Sequence, residues 1–324
     1  MRFLILCALT CALAFAPPAL AQSPDRAERI VRAWSGWVEA GSTKVSTIAV
    51  LRAGELVAAQ GVGVLADAAL PLASLSKAIT AACAAALPAS AGLSMDAAVG
   101  GVIEDAPGTR EARLGELLTH TSGIWPDATQ GDAGLRGASA PRTAEVARRA
   151  LARDPQEGRA GTYAYNNENY AIAGLMIEAA TGRTYAEACT KAVLAPLGTR
   201  TGSLDGEWGA HGPWGGWSMS APDYARFAWA AFGPSAPFGR DPEAWPAADL
   251  GDGARYGMGA YWRDIRGRHL IWSSGMLCWD GRGSGGYVAS YGGEWLVVAL
   301  YADCLDGTQR LHELDGALFD AAVR

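Results

Sequence analysis

From residue 24 onward the apolar positions recur at helical spacing. Ile30, Val31, Trp34 and Val38 share one side of the segment Pro24 to Ala40, which predicts an amphipathic helix. The pattern then changes: Val45 to Leu51 and Leu56 to Val64 read as two strands around a hairpin turn at Arg52-Ala53-Gly54-Glu55. After Pro71 comes an alanine-rich, helix-favouring stretch, and as far as about Leu204 helical segments alternate with Gly and Pro breaks. The clearest of them is Tyr170 to Thr181, stopped by Gly182. Thr201 to Trp217, rich in Gly and Trp, reads as a long irregular loop, and a helix with Pro222 and Asp223 in its first turn runs on through Phe232. The remainder is strand-like over Gly257 to Ile265, His269 to Cys278, Gly286 to Tyr291 and Trp295 to Ala302, and the chain ends on a helix from Gln309 to Val323. Strands near both ends with helices between them predict a mixed α/β (α+β) fold, with one antiparallel sheet built from both termini.

The first 21 residues follow a different grammar. Arg2 supplies a charged start, Phe3 to Phe15 an apolar core, and Ala19-Leu20-Ala21 a small-residue cleavage site, the pattern of a secretory signal. The apolar run is too short for a comfortable membrane span. Thr10 before Cys11 suits lipoprotein cleavage poorly. The expectation is therefore a soluble exported protein, periplasmic or secreted, that starts near Gln22, with membrane association confined to lipidation at Cys11. With 27 basic residues against 33 acidic ones, a net charge of −6 and no basic cluster, nucleic acid is not an expected partner.

Removal of Cys7 and Cys11 with the signal leaves Cys83, Cys189, Cys278 and Cys304. Export permits disulfides, and four cysteines allow three pairings. Cys278 and Cys304 lie in two late strand-like segments and form the first pairing to consider, with free buried thiols as the alternative. The cysteine spacing does not resemble a zinc site, and His120, His211, His269 and His312 are scattered. No metal and no cofactor are indicated.

One short motif carries chemistry. Only three residues are lysines (Lys44, Lys77 and Lys191), and Lys77 stands three residues after a serine in Ser74-Leu75-Ser76-Lys77. Residues three apart share a helical face, so hydroxyl and amine can meet. A lysine among alanines and leucines is partly desolvated, which lowers its pKa and makes it a base for a serine nucleophile. The helix N-terminus beneath Ser74 favours negative charge on its oxygen. By itself S-x-x-K is a weak pattern that also fits a surface lysine after a loop serine. Twelve tryptophans, among them Trp208, Trp214, Trp217, Trp272, Trp279 and Trp295, suit either core packing or an aromatic pocket for an acyl group or a sugar.

Three further stretches follow Ser74-x-x-Lys77 in order: Leu117-Leu118-Thr119-His120-Thr121-Ser122-Gly123-Ile124, Tyr163 to Gly174, and Gly215-Gly216-Trp217-Ser218-Met219-Ser220-Ala221-Pro222-Asp223. Together they resemble the serine β-lactamase and penicillin-binding-protein superfamily, in particular its class C-like branch of β-lactamases, D,D-peptidases and esterases. The resemblance covers roughly Val45 to Ala302. It implies a sheet domain of residues 22–75 plus 205–324, a helical insertion of residues 76–204, and a catalytic cleft between them. It also implies that Ser74 is the nucleophile, Lys77 its base and Tyr165 the proton relay. Tyr165-Asn166-Asn167 matches the family's Tyr-x-Asn, with Asn167 holding Lys77 and the substrate amide. In such a family His120 is structural. The third family motif, a basic residue before Ser/Thr-Gly, is matched best by Ser273-Ser274-Gly275, where Ser273 replaces the base. Ser273, Ser274 and Gly275 would then border the substrate, and the backbone N–H groups of Ser74 and Met276 would form an oxyanion hole. Arg282 and Arg310 are the candidates for supplying the missing charge. The expected function is an exported serine hydrolase acting on a small-molecule or peptidoglycan-like ester, amide or lactam, with esters favoured. The alternatives are a catalytically impaired binding or sensor module and an envelope interaction protein.

Overall fold

The computed structural model describes residues 23–41, 43–87, 93–156, 159–265 and 267–323. The signal expected over residues 1–21, with Cys7 and Cys11, lies outside the described residues. Eight strands make one antiparallel sheet: β1 (Ser46–Arg52), β2 (Glu55–Val62), β5 (Ala248–Gly251), β6 (Ala254–Gly257), β7 (Ala260–Ile265), β8 (Arg268–Trp279), β9 (Arg282–Tyr291) and β10 (Trp295–Tyr301). Their order is β2-β1-β10-β9-β8-β7-β6-β5, while β3 (Ala69–Pro71) and β4 (Ser218–Ser220) form a separate pair. Strands from the two ends of the chain meet one place in from the β2 edge of the sheet, where β1 pairs β10 from Ser46↔Tyr301 to Arg52↔Trp295.

Helices cover both faces of this sheet. On one side α1 (Ser23–Ala40) and α11 (Gln309–Val323) pack Trp34, Val38, Leu314 and Leu318 against Val50, Val297 and Tyr301. On the other, Leu51, Leu296, Val298 and Leu300 join a larger core that includes α2 (Ser76–Ala86) and α9 (Ala221–Phe232). A strand buried on both faces loses its alternation and becomes apolar throughout; β10, Trp-Leu-Val-Val-Ala-Leu-Tyr, is buried at every position.

Between β3 and β4 the chain is mainly helical: α2, then α3 (Val99–Val102), α4 (Leu114–Leu118), α5 (Thr143–Leu151), α6 (Asn167–Thr181), α7 (Tyr185–Cys189) and α8 (Gly212–Gly215). After α9 come the short α10 (Pro237–Arg240) and a 3-10 turn, Pro242–Ala244, before the sheet resumes at β5. Disulfides join Cys83 to Cys189, tying α2 to α7, and Cys278 to Cys304, tying β8 to the segment after β10. The Cα atoms are 5.1 Å apart in each pair.

Three details depart from the sequence pattern. The expected loop Thr201 to Trp217 contains a 3-10 turn, Gly209–His211, followed by α8. Its glycines hide the helix from propensity, while Pro213 starts it in the position where a missing N–H costs nothing. The single strand expected over Gly257 to Ile265 is two strands, broken where Met258 and Gly259 adopt φ of 53° and 78°. Helix α6 begins three residues before Tyr170, because the side chain of Asn166 caps it by accepting the Glu168 N–H at 2.8 Å.

Candidate active site

Ser74 lies in a 3-10 turn, Ala73–Leu75, that runs directly into α2. Three bonds fix this junction against the segment around α8. The Leu72 N–H donates to the Trp217 carbonyl at 2.8 Å, the Trp217 N–H donates to Ser76 Oγ at 3.2 Å, and Thr80 Oγ1 donates to the Pro213 carbonyl at 2.6 Å. The same contacts bring the Trp214 carbonyl over the first turn of α2, where Lys77 is buried.

The Lys77 ammonium has three donors and three partners: Ser74 Oγ at 3.1 Å, Asn167 Oδ1 at 2.8 Å and the Trp214 carbonyl at 2.8 Å. It also lies 4.8 Å from the centre of the Tyr165 ring. Burial pushes its pKa down to about 7, against the opposing pull of the Asp127 carboxylate. From the other side the Tyr165 hydroxyl donates to Ser74 Oγ at 2.8 Å. Burial raises the pKa of this phenol, so Tyr165 is protonated at neutral pH.

Asn167 is held at the start of α6. Its backbone N–H donates to Asp127 Oδ2 at 3.0 Å, and its side-chain amide donates to Thr129 Oγ1 at 3.0 Å, which turns Oδ1 toward Lys77. Tyr165 is positioned by His120, whose carbonyl accepts the Ala164 N–H at 2.9 Å and whose ring packs 4.4 Å from the phenol. Nδ1 of that imidazole accepts the Asn166 N–H at 3.3 Å. Burial, and then the nearby Lys77, hold the pKa of His120 well below the usual imidazole value. His120 is therefore a neutral packing residue behind Tyr165.

Strand β8 forms the opposite wall. Its pairing with β7 ends at Tyr261↔Trp272, whereas its pairing with β9 continues to Trp279↔Arg282. From Ser273 onward one edge of β8 is therefore unpaired and faces Ser74. Gly275 is required here: a Cβ on it would lie 2.4 Å from the Ser74 nitrogen. The Gly275 carbonyl accepts from the Tyr301 hydroxyl at 2.7 Å on the β9 side. Strand alternation then directs the next N–H, that of Met276, to the open edge.

Ser74, Tyr165, Asn167 and Met276 line one cavity of about 320 Å³, together with Thr129, Gln130, Asp132, Arg136, His211, Trp214 and Trp279. Ser273 and Ser274 are not among its lining residues; Ser273 is buried and donates to the Gly259 carbonyl at 3.1 Å. Neither arginine expected to replace the missing charge comes to this cavity. Arg282 pairs with Glu207, and Arg310 lies over Trp37 with a bond to Glu313. Of the tryptophans, Trp208 and Trp217 are core, Trp272 stacks on Tyr261, Trp295 joins the α1–α11 core, and Trp279 stacks on His211 beside the cavity.

Sequence reasoning missed Asp127, Thr129, Arg136 and the Trp214 carbonyl. The first two carry a legible local signal: Asp127 Oδ1 accepts both the N–H and the hydroxyl of Thr129, the self-bonded turn that Asp-x-Thr favours. Trp214 contributes only backbone, so its residue type carries no signal. A second cavity of about 310 Å³ behind α2 is lined by apolar side chains such as Ala82, Phe227 and Trp245 and holds neither nucleophile nor base. Among the described residues no cluster of three His, Cys, Asp or Glu could hold a metal ion.

The fold has close counterparts among solved structures. A penicillin-binding protein homologue from Pyrococcus abyssi superimposes with a TM-score of 0.71 at 19% identity, covering 92% of this chain and 77% of that one. A β-lactamase/D-alanine carboxypeptidase from Pseudomonas syringae gives 0.70 at 18% identity, with 93% and 100% covered. A D-stereospecific amidohydrolase from Streptomyces sp. gives 0.69 at 19% identity, with 88% and 97% covered. No curated protein matches the chain in sequence. The Beta-lactamase family model matches residues 37–323, and the chain belongs to that family.

Proposed function

We propose that this protein is an exported serine hydrolase of the class C-like type that passes through an acyl-enzyme on Ser74, with esters favoured over lactams and peptides. One observation carries the reading: Ser74 Oγ is hydrogen-bonded at once to a buried amine, 3.1 Å away, and to a phenol, 2.8 Å away. Near pH 7 the Lys77 amine is substantially neutral. Its two N–H bonds then go to Asn167 and Trp214, and its lone pair is left for the Ser74 proton. Oγ attacks the substrate carbonyl carbon while that proton passes to Nζ, and the N–H groups of Ser74 and Met276 receive the oxyanion. As the intermediate collapses, the leaving oxygen or nitrogen takes the Tyr165 proton, which is restored from the Lys77 ammonium. Water then repeats the sequence on the acyl carbon, releasing the acid and Ser74.

The preference for esters rests on Ser273. No basic side chain stands where the family places one, so a carboxylate next to the scissile bond lacks its usual partner. That same substitution favours a second reading, a protein that acylates but does not turn over and acts as a binding or sensor module. Hydrolysis of p-nitrophenyl esters and of a chromogenic β-lactam by the native protein and Ser74→Ala separates the two. Many turnovers per molecule, lost in the variant, are expected. A single stoichiometric burst would establish the sensor instead, and equal rates in both proteins would remove Ser74 from the chemistry.

A further inference from the structure

The cavity that contains Ser74 has one arginine or lysine among its described lining residues, Arg136, and nothing in the proposed acyl transfer uses it. Its backbone is well fixed. It ends the 3-10 turn Ala133–Leu135, in which Asp132 Oδ1 accepts the Gly134 N–H at 2.9 Å, Leu135 is buried in the core, and the Arg136 N–H donates to the Ala133 carbonyl at 3.2 Å. Its guanidinium, by contrast, is loosely engaged. The side chain is 41% exposed and lies 3.9 Å from Asp280, itself 78% exposed, a distance too long for a hydrogen bond. An ion pair of that kind contributes little and is readily exchanged. The lining carboxylate, Asp132, is already bonded to Arg149 at 2.9 Å. His211, also in the lining, is held by burial at a pKa of about 4 and is neutral.

Asp280 directly follows Trp279, the last residue of β8, so its pairing with Arg136 sets this arginine of the cavity lining at the far end of the open β8 edge. From the proposed oxyanion site at Met276 that edge runs on to Trp279, three residues further, or about 10 Å along a strand. An extended substrate whose carbonyl lies between Ser74 and Met276 can pair with this edge, and its far end then arrives at Trp279 and Arg136. We propose that Arg136 selects the substrate by binding a carboxylate carried about 10 Å from the scissile carbonyl. The planar guanidinium suits bidentate capture of such a group, which displaces Asp280. The inference rests on Ser74 chemistry and deepens it: the anion recognised is remote from the reacting bond, where Ser273 offers no charge.

The test uses two p-nitrophenyl esters with the same extended acyl chain, ending in a carboxylate or in a carboxamide about 10 Å from the ester carbonyl. The native protein is expected to favour the carboxylate by about 10- to 100-fold in kcat/KM. The difference should lie mainly in KM, because the tail is bound alike in ground and transition states. Arg136→Gln should bring the ratio close to one, Arg136→Lys should restore part of it, and Arg136→Glu should push it below one, in favour of the carboxamide. A native ratio near one, or a ratio that none of these variants changes while both esters are still hydrolysed, overturns the role of Arg136 and leaves the acyl-enzyme intact. Failure of the native protein to hydrolyse either ester any faster than Ser74→Ala removes the acyl-enzyme reading and this inference with it.

Discussion

Lys77 is the residue on which the proposed chemistry turns, because its protonation state decides whether Ser74 has a base. Desolvation brings its pKa to about 7, and the neutral amine is the reactive form. The rate constant kcat/KM on a neutral ester should therefore rise with pH through about 7 and level off above it. Lys77→Arg, charged at every accessible pH, should lose about 10²- to 10⁴-fold and lose that limb. Tyr165→Phe should lower kcat by a similar factor, about 10²- to 10⁴-fold, while the limb stays near 7, since Lys77 keeps its partners at Asn167 and Trp214. A limb unmoved in Lys77→Arg would assign the titration to another group. The first two of these residues could be named from spacing alone: a serine and a scarce lysine three positions apart need only a helix to meet. Arg136 could not, because what matters about it is the wall of the cavity it reaches, and that depends on the long-range fold.

At the scale of elements, β8 is where sequence and structure diverge most usefully. Its apolar run and its Ser273-Ser274-Gly275 are readable, and Gly275 has the close approach to Ser74 that such a glycine serves. The sequence does not show that the edge beside it is unpaired, because that follows from β7 turning away at Met258-Gly259. Ser273 and Gly275 are two apart and so share a strand face, which directs a longer side chain at 273 toward the nucleophile. Ser273→Lys should therefore raise kcat/KM for substrates with a carboxylate next to the scissile bond by about 1–3 kcal/mol relative to neutral esters. Equal changes for both classes would show that the new charge does not reach the cleft. Helices followed the same logic. The amphipathic α1 and the Gly-stopped α6 are plain in the pattern, whereas α8 is masked by its own glycines and exists because tertiary bonds to α2 hold it.

For the molecule as a whole, a buried lysine is also a matter of stability. Lys77 has a folded pKa of about 7 against an ordinary 10.5. Between those values the unfolded chain binds the proton and the native one does not, so stability must rise as pH increases from about 7 toward 10.5. Below 7 both states are charged, and the native state carries the full cost of burying the ammonium. Lys77→Met should therefore flatten this part of the urea-midpoint profile and be more stable than the native protein at pH 6. An unchanged profile would mean that Lys77 is solvated in the folded state. The overall architecture was the most legible level: strands near both ends and helices between them sufficed for a mixed α/β fold with one antiparallel sheet built from both termini. The pairing Cys83–Cys189 was not, since nothing near either residue announces that α2 and α7 lie together.

The central claim is that Ser74 is a live nucleophile, and the intact mass of the protein after exposure to a fluorophosphonate tests it most directly. The account predicts one adduct per molecule, forming faster as pH rises through about 7 and absent from Ser74→Ala. An adduct of equal stoichiometry on Ser74→Ala, or none on the native protein at any pH, would contradict it.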